Sequence, residues 1–429
     1  MPKKKLQKEF QSPKGMRDLL PQDAAFWDKV INVGQELAQD YGFQKIETPL
    51  IEDAELFIRG TGETTDIVSK QMYFVKTAGN ANLALRPEGT PGVARAYMEN
   101  GMASLAQPIK LFYYGPMFRH EQPQAGRWRQ LYQFGLEIFG DGSAVLDAQT
   151  IQFCFHLFRQ LGLKKVNIQI NSLGCPQCRP AYRRALLDYY RHRKEKLCPD
   201  CKRRLKENPL RLLDCKEEKC QPIKTQAPAS VDHLCDDCRK HFKEVLEFLD
   251  ELEIPYFLNS ALVRGLDYYT KTIFEVFWDE EGASPMALAG GGRYDNLIKD
   301  LGGKPTPAVG MAFGLDRIVD LMKKEQVKVA QGPNFKVFLV QLGAAGRKKC
   351  LKLFEKLHQA GILAAESMSR DSIKAQMKSA DRLGVKFALI LGQQEALDNT
   401  VIIRDMQSGV QETVPQDKVV DELKKRFKK

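Results

Sequence analysis

Apolar residues recur along the chain with helical spacing in some stretches and as short extended runs in others. Helical spacing over 22–41 predicts an amphipathic helix, and a second helix is predicted from Leu146 to Leu161. Four apolar runs between these helices predict strands, at 71–76, 83–86, 109–114 and 131–139. Because most of these strands are joined without long helices, the pattern indicates an antiparallel sheet rather than a doubly wound parallel one.

The segment Ile46–Ile51 predicts a further strand, which Pro49 interrupts. Proline cannot donate a ladder hydrogen bond, so this strand is expected at a sheet edge or at an interface. Val166–Ile170 alternates like a half-buried strand, and the part of the chain from about 172 to 252 then interrupts the scheme like an inserted module. Further strands are predicted after the insert, at 262–264 and 272–278.

Beyond a linker-like stretch, Gln331–Asn334, the pattern changes to alternating strands and helices. Three apolar runs predict strands, at Val337–Val340, Phe387–Leu391 and Val401–Ile403. Residues at helical spacing predict two helices, one through Cys350, Leu353, Phe354 and Leu357 and a closing one through Val419, Leu423 and Phe427. We therefore predict two domains: 1–330, which carries the insert, and 331–429, a small α/β domain with a mainly parallel sheet.

The composition is that of an ordinary soluble globular protein, with 429 residues, 43% of them hydrophobic and 28% charged. No stretch approaches the ~18–20 uninterrupted apolar residues of a membrane span. The basic N-terminus Met1–Lys8 has no apolar segment behind it, so a secretory signal is not predicted and the cytoplasm is the expected location.

The net charge of +11 favours polyanionic partners, although a solvated basic surface explains it equally well. Its distribution favours the first reading slightly. Residues 191–220 hold 11 Lys and Arg against 6 Asp and Glu, and five of the last six residues are basic.

Eight of the ten cysteines lie in the insert as four pairs, Cys175/Cys178, Cys198/Cys201, Cys215/Cys220 and Cys235/Cys238. Disulfides are not expected without an export signal. The first two pairs form C-x2-C-x19-C-x2-C, a spacing typical of a structural zinc site, and the last two form the looser C-x4-C-x14-C-x2-C. One or two structural zinc ions and a set of metal-free reduced thiols are both compatible with this spacing.

Four segments place Arg, Glu, Tyr or Gly where composition gives no reason for them: Leu85–Thr90, Phe118–Arg129 leading to Glu137, Leu262–Tyr269 followed by Ala289–Asp295, and Gly310–Arg317. Arg119, Arg264 and Arg317 could each bind phosphate or carboxylate oxygens bidentately. Taken singly, each arginine is better explained as an ion-pair partner. Four such segments in this order indicate a site for a phosphate compound and a small molecule, with neither a P-loop nor a Rossmann fingerprint.

The remaining residues of these segments fit the small molecule. Gly290–Gly292 lets backbone approach closely, although three glycines also make a turn. Glu88 and Glu137 offer carboxylates to an ammonium or an N–H group, and Tyr268 and Tyr269 offer hydroxyls, although a Tyr pair is also ordinary core packing. His120, between two charged residues, is interpreted as a loop brace rather than a catalytic base.

In this order the segments resemble those of bacterial-type histidyl-tRNA synthetases, of class II, over essentially the whole chain. Leu262–Glu275 is similar to the segment that marks the histidyl enzymes, Phe118–Glu137 to the second class II motif, Gly310–Arg317 to the third, and Gly42–Ile51 to the dimer-forming first. The resemblance implies an α+β fold: an antiparallel-sheet catalytic core with an inserted domain, and a C-terminal α/β domain that binds the anticodon. It also implies ATP with magnesium, L-histidine and histidine tRNA as substrates, and a homodimer.

Residue roles follow from the resemblance alone. Arg119 would hold the α-phosphate, Arg317 the distal phosphates, and Glu121 would lie near the adenine. Arg264 would lie between the amino-acid carboxylate and the α-phosphate, which makes it, with Arg119, catalytic. The histidine-binding residues would be Glu88, Thr90 and Gln133 for the α-ammonium, Glu137 and Tyr269 for the imidazole, with Gly89, Tyr268, Arg119 and Arg264 beside them.

Two positions depart from the family pattern. Gln122 stands where many bacterial members have Arg, which bears on how the first base pair of the tRNA is read, and Asp316 stands where Glu is more usual. Two alternative functions remain: a non-catalytic synthetase-like regulatory subunit of histidine biosynthesis, and a zinc-ribbon nucleic-acid-binding protein. The first would typically lack the C-terminal domain, and the second leaves the Arg, Glu and Tyr residues unexplained.

Overall fold

The computed structural model describes residues 10–63, 65–79, 81–122, 126–279, 286–330, 334–369 and 371–428. The chain divides into two compact units, 1–329 and 330–429. The basic stretch 1–8 lies outside the described residues, and so does the linker predicted at 331–334 except for Asn334. Within the described ranges no helix is both long and apolar enough to cross a membrane.

The first unit contains ten α-helices and eleven strands among its described residues. The helices are α1 Pro21–Asp40, α2 Ala54–Thr61, α3 Thr90–Glu99, α4 Ala144–Gln160, α5 Arg179–Arg191, α6 Pro199–Glu207, α7 Gln221–Thr225, α8 Asp236–Glu251, α9 Leu297–Asp300 and α10 Leu315–Lys324. The strands are β1 Gln44–Lys45, β2 Ile51–Asp53, β3 Tyr73–Val75, β4 Leu83–Leu85, β5 Ile109–Phe118, β6 Gln130–Phe139, β7 Val166–Ser172, β8 Phe257–Leu258, β9 Thr270–Trp278, β10 Met286–Arg293 and β11 Ala308–Gly314.

An eight-stranded sheet in the order β1-β5-β6-β11-β10-β9-β7-β8 forms the centre of this unit. Its six long strands pair antiparallel, and only the two-residue edge strands β1 and β8 pair parallel. The predicted antiparallel core is therefore confirmed. The register places Gly310 beside Glu137 and Gly290 beside both Ala312 and Glu275, so segments far apart in sequence meet at mid-sheet.

Apolar faces of α1, α4, α8 and α10 bury the sheet on one side. Their contributions include Val30, Ile151, Val245 and Ile318, each fully or almost fully buried in one cluster with the sheet. Burial of this kind contributes roughly 1.5–3 kcal/mol for each large apolar side chain. The insert has a separate core around Tyr182, Leu186, Tyr190 and Leu212, and four of its cysteines belong to that core.

Two predicted strands are wrong, and hydrogen bonds from other segments of the chain explain both. Between β1 and β2 the chain is not a strand, because Arg86 takes the carbonyl oxygens: its Nη1 donates to Thr48 O at 2.9 Å and its backbone N–H to Leu50 O at 2.9 Å. Residues 262–264 are not a strand either. Asn171 Nδ2 donates to Leu262 O at 2.9 Å, so a side chain replaces the ladder there.

The second unit has a five-stranded sheet in the order β13-β12-β14-β15-β16. Its elements are β12 Val337–Gln341, α11 Gly343–Gln359, β13 Ala364–Glu366, α12 Ile373–Arg382, β14 Phe387–Leu391, α13 Gln393–Asp398, β15 Thr400–Asp405, β16 Gln411–Pro415 and α14 Val419–Lys428. Strands β12, β13 and β14 pair parallel, but β15 and β16 add two antiparallel pairings. The sheet is thus mixed, not mainly parallel. Asp405 accepts the backbone N–H groups of Gln407 and Ser408 and so makes the hairpin that reverses the chain.

Candidate active site

One cavity of about 170 Å³ at the sheet is lined by Arg119, Arg264 and Arg317. Arg119 follows β5, Arg264 precedes β9, and Arg317 lies in the first turn of α10. Their sequence positions are far apart, and the antiparallel register brings them together. The structure therefore places all three predicted guanidinium groups in one shared environment.

Backbone carbonyl groups hold two of these arginines. Arg119 Nε donates to Pro87 O at 2.8 Å, while Arg317 donates from Nη1 to Ala287 O at 2.6 Å and from Nε to Gly126 O at 3.2 Å. Among the described residues neither of them forms an ion pair with a carboxylate, so their positive charges are not neutralised by a direct partner. Burial lowers the pKa of Arg317, and the neighbouring Arg127 lowers it further. Positive charge is concentrated here, as an anionic ligand requires.

Arg264 is held differently, by an ion pair with Glu275 on β9. Burial lowers the pKa of Arg264, but Glu275 and the nearby Tyr269 raise it by more, so this guanidinium stays charged. The guanidinium lies against Gly290, and a Cβ atom at that position would collide with it. Gly290 therefore makes room for Arg264 rather than for a ligand directly.

Glu88 is buried on the other side of Arg264. It accepts hydrogen bonds from Thr61 Oγ1 at 2.6 Å and from the Tyr268 hydroxyl at 2.9 Å. Burial raises the pKa of Glu88, against the effect of these donors. The contact with Thr61 could not be expected from the sequence motifs.

Glu137, fully buried on β6, is surrounded by hydroxyl groups. Thr90 Oγ1 donates to it at 2.7 Å, Tyr113 at 3.3 Å, and Tyr294 makes a short hydrogen bond. Burial raises the pKa of Glu137 to about 8, although these donors favour its ionised form. The carboxylate is thus oriented before any ligand binds.

Gln133 connects the arginine cavity with the strand that carries Glu137. It is on the same strand as Glu137, at an even spacing that places both side chains on one face, and it lines the arginine cavity. Its Oε1 is buried and has no hydrogen-bond partner within the described chain. An acceptor in that condition is costly unless a ligand satisfies it.

Tyr268 and Tyr269 are buried beside Arg264. Their ring centroids are 4.6 Å apart, and the Arg264 guanidinium carbon lies 5.7 Å from the Tyr269 ring centroid. The pair thus connects the guanidinium to the carboxylate network through the bond from Tyr268 to Glu88.

Tyr113 and Tyr294 are functional candidates that the sequence interpretation did not assign. The Tyr113 ring occupies the space beside Gly89 and Gly135, where a Cβ atom would collide with it. Gly89 therefore contributes by leaving room for a tyrosine. Pairing β5 with β6 would have placed Tyr113 opposite Gly135, but that register depends on the tertiary fold.

The remaining motif residues have mostly supporting positions. Asp316 accepts from Arg17 at 2.9 Å and from the Tyr132 backbone N–H at 2.7 Å, so both of its oxygens are engaged. Glu121 lines the cavity and lies 3.4 Å from Arg127. His120 packs edge-on against Tyr73, with ring centroids 5.5 Å apart.

The cysteines converge in two groups of four, which differ from the sequence grouping. Cys175, Cys178, Cys235 and Cys238 form the root cluster, and Cys198, Cys201, Cys215 and Cys220 form the tip cluster, each with all Sγ atoms within 4.8 Å of one another. The interpretation that joined the first pair to the second is wrong. Helix α5 carries the chain roughly 20 Å away from Cys178, and the start of α8 returns to it.

The geometry of both clusters suits a metal ion. Sγ atoms are 3.7 Å apart between Cys175 and Cys178 and 3.8 Å apart between Cys198 and Cys215. Zinc with bonds of ~2.3 Å to four sulfurs has edges near ~3.8 Å, whereas a disulfide is ~2.05 Å long. Backbone N–H groups also donate to sulfur, from Cys235 to Cys178 at 3.1 Å and from Cys201 to Cys198 at 3.3 Å.

Comparisons with known proteins point to the same family as the sequence motifs of the site. A family model described as histidyl-tRNA synthetase matches residues 15–318, and one described as an anticodon binding domain matches 336–426. The histidine–tRNA ligase of Dehalococcoides mccartyi (strain ATCC BAA-2266 / KCTC 15142 / 195) is 44% identical over 97% of this chain and 100% of its own length.

Solved structures extend the comparison. Apo histidyl-tRNA synthetase of S. aureus is 34% identical, with a TM-score of 0.81 over 96% of this chain and 99% of its own. A protein of Bacillus halodurans named as an ATP phosphoribosyltransferase regulatory subunit/histidyl-tRNA synthetase is 22% identical, with a TM-score of 0.64 over 89% of this chain and 98% of its own, and shares the fold alone. The resemblance drawn from the motifs is thereby confirmed, and the chain belongs to the histidyl-tRNA synthetase family.

Proposed function

We propose that this protein is a histidine–tRNA ligase, which activates L-histidine with ATP and transfers it to the 3′ end of its tRNA in the cytoplasm. One observation carries the proposal. Arg119, Arg264 and Arg317 line one cavity, and Arg264 joins that cavity to a buried pocket built on Glu88 and Glu137.

ATP would occupy the arginine cavity with magnesium as part of the substrate. Arg119 is assigned to the α-phosphate, Arg317 to the distal phosphates and Glu121 to the adenine side. Because both oxygens of Asp316 are engaged by Arg17 and Tyr132, that carboxylate is not offered to the ion. Magnesium commonly keeps water and substrate phosphates as ligands, so the phosphate oxygens would supply much of its coordination.

Histidine would lie with its ammonium at Glu88, Thr90 and Gln133, since Gln133 Oε1 lacks a partner and Glu88 is a buried acceptor. The imidazole would lie at Glu137 and Tyr269. Neutral imidazole has one donor and one acceptor, which a carboxylate and a phenol satisfy. An apolar analogue would leave these buried groups unpaired, and such a site discriminates strongly.

Activation is an in-line attack of the histidine carboxylate on the α-phosphorus, which gives histidyl-adenylate and pyrophosphate. Both reactants are anionic, so close approach requires positive charge at the reacting centre. Arg264 is placed to supply it, since it faces the cavity and borders the tyrosine pair. A hydroxyl of the terminal adenosine of the tRNA then attacks the acyl carbon.

The two units would divide this work. Residues 1–330 form the catalytic domain, whose insert covers about 172–252, and residues 331–429 form the domain that binds the anticodon. Support for the second assignment is the match of 336–426 to an anticodon binding domain.

A homodimer fits an apolar depression beside α1. About 460 Å³ of space there is lined by residues that include Leu19, Leu20, Trp27 and Tyr132, and Leu19 and Leu20 are 40% and 48% exposed. Burying such side chains favours self-association. Sedimentation of the purified protein at micromolar concentration is expected to give a dimer.

Each cysteine cluster is proposed to bind one structural zinc ion. Elemental analysis of the full chain, purified without chelators, is expected to give two zinc ions per chain. Cys235→Ser and Cys215→Ser should each retain one ion, because they fall in different clusters. Metal-free wild-type protein would contradict the proposal.

Histidine-dependent exchange of labelled pyrophosphate into ATP tests the catalytic proposal. Exchange that requires histidine is the expected result. Folded protein without exchange would contradict ligase activity and favour the regulatory-subunit function instead.

A further inference from the structure

The loop 264–269 carries Arg264 and the tyrosine pair, and the insert holds it through Arg211. Arg211 donates from Nη1 to Arg264 O at 3.2 Å and from Nη2 to Gly265 O at 2.8 Å, and it pairs with Asp267 at 2.9 Å. The Arg211 side chain is only 11% exposed. One insert residue thus makes three polar contacts with the loop.

Arg179 provides a second contact at the other end of the loop. Its Nη2 donates to the carbonyl oxygen of Tyr269, and the side chain of this tyrosine is proposed to contact the imidazole. Burial lowers the pKa of Arg179. The two insert arginines therefore hold carbonyl groups at the beginning and the end of this loop.

Each of these arginines lies close in sequence to a different cysteine cluster. Arg179 is the residue directly after Cys178 of the root cluster and begins α5. Arg211 lies in the 3₁₀ helix Pro209–Asp214, between Cys201 and Cys215 of the tip cluster. The arrangement is the same twice: a cysteine cluster, an arginine near it in sequence and a loop carbonyl group that this arginine contacts.

Close packing joins the insert core to Val263, directly before the loop. The loop itself borders a cavity of about 590 Å³, whose lining includes Arg179, Arg211, Leu266 and Tyr269. Side chains that bridge such a space hold the loop only if their own backbone is fixed. The insert core contains the four thiols of the tip cluster itself, so its rigidity depends on what those thiols bind.

We propose that the two cysteine clusters are metal staples that position the histidine-binding loop through Arg179 and Arg211. The proposal rests on the ligase function above, and Arg179 and Arg211 are positioning residues in it. Loss of either staple or either arginine loosens the loop, which weakens histidine binding much more than ATP binding, because Arg119 and Arg317 lie outside the loop and still bind the phosphates.

Steady-state exchange kinetics of Arg211→Gln and Arg179→Gln test this proposal. Each variant is expected to retain two zinc ions and to raise the KM for histidine about tenfold, with the KM for ATP within about twofold of wild type. Arg211→Lys, which keeps a charge and a donor, should lie between. Lys243→Gln, on the exposed face of α8, removes one positive charge from the insert and is the matched control.

Hydrogen–deuterium exchange of the peptide spanning 262–270 gives a readout that does not need activity. Faster exchange there is expected in both arginine variants and in Cys215→Ser. An unchanged KM for histidine, equal rises in both KM values, or unchanged loop exchange would overturn the staple proposal. A wild-type protein without pyrophosphate exchange would overturn the ligase function instead, and the loop exchange would still decide the staple.

Discussion

The candidate site has two halves, the arginine cavity and the carboxylate pocket around Glu88 and Glu137, and their charged groups are held in opposite ways. In the arginine cavity, the hydrogen bonds that Arg119 and Arg317 make within the described part of the chain go to carbonyl oxygens, so their charge is available to a ligand. In the carboxylate pocket, Glu88 and Glu137 are buried, and hydroxyl groups already satisfy much of their hydrogen-bonding capacity. Among the described residues, one half thus contains two arginines without a carboxylate partner, and the other is a network of buried carboxyl groups and hydroxyl donors.

The contrast matches the two ligands. A triphosphate binds together with magnesium, and a partly open site is sufficient for it, because attraction between charges does not require a closely fitting cavity. An imidazole is small and neutral, so discrimination depends on buried donors and acceptors whose positions are fixed in advance. Arg264 belongs to both halves, since it lines the cavity and borders Tyr269.

The largest effect is expected where the halves meet. Arg264→Ala should lower the rate of pyrophosphate exchange by about 10²–10³-fold, because a charged group that stabilises the reacting phosphate is lost. Equilibrium binding of histidine, measured by calorimetry, should largely survive. A near-wild-type rate would mean that Arg264 does not act at the reacting centre.

Arg264→Ala also leaves Glu275 without its ion-pair partner. The double variant Arg264→Ala with Glu275→Gln controls for this, since it removes the uncompensated carboxylate. If the double variant recovers most of the rate, the loss came from Glu275 and not from the missing guanidinium.

Two conservative variants should separate the halves cleanly. Tyr294→Phe removes a hydroxyl donor of Glu137 and is expected to raise the KM for histidine about tenfold with little change for ATP. Arg317→Gln should do the reverse. The measurement is exchange kinetics with each substrate varied in turn, and parallel changes in both KM values would contradict two distinct halves.

The sequence predicted one half of this site better than the other. Arg119, Arg264 and Arg317 could be predicted because they lie in recognisable sequence motifs. Each guanidinium group acts through its own charge and does not depend on a contact that only the fold creates. Tyr113, Tyr294 and Thr61 were missed because their value lies in contacts with Glu137 and Glu88, which only the fold creates.

The same reasoning applies to the fold and the cysteines. Antiparallel strands could be predicted from apolar runs, since periodicity is local. The strand expected at 262–264 failed because Asn171 and Arg211 take its carbonyl groups, and the cysteine grouping failed because α5 separates neighbours in sequence. Both outcomes depend on contacts between residues far apart in sequence, and a local sequence pattern carries no information about such contacts.

A smaller effect is expected for tRNA, which uses neither half during activation. Lys202, Arg203 and Arg204 belong to the basic stretch 191–220, whose charge favours contacts with phosphates, but each already has an acidic partner: Glu195 at 3.3 Å, Glu207 at 2.9 Å and Asp66 at 3.4 Å. Changing all three to Gln should weaken tRNA binding only a few-fold and reduce the salt slope by about 1–2. Filter binding at several salt concentrations measures this, and unchanged affinity and slope would return these residues to a solvated surface.

The smallest effect concerns the titration of the carboxylate pocket, where burial raises the pKa of Glu137. The Glu137 carboxyl has a pKa of about 8 in the fold and near ~4.3 in an unfolded chain. A raised pKa in the folded state contributes stability that is complete below ~4.3 and is lost as the pH rises towards 8. Wild-type stability should therefore fall over this window relative to Glu137→Gln, which does not titrate.

Thermal unfolding of both proteins at pH 5, 7 and 9, without ligands, measures the effect. The difference in Tm between them should change by roughly 5–10 °C across the series. Glu88 is present in both proteins, so its own titration largely cancels. A difference that stays constant with pH would mean that Glu137 is already ionised in the fold, and the carboxylate pocket would then be a second charged half rather than a neutral one.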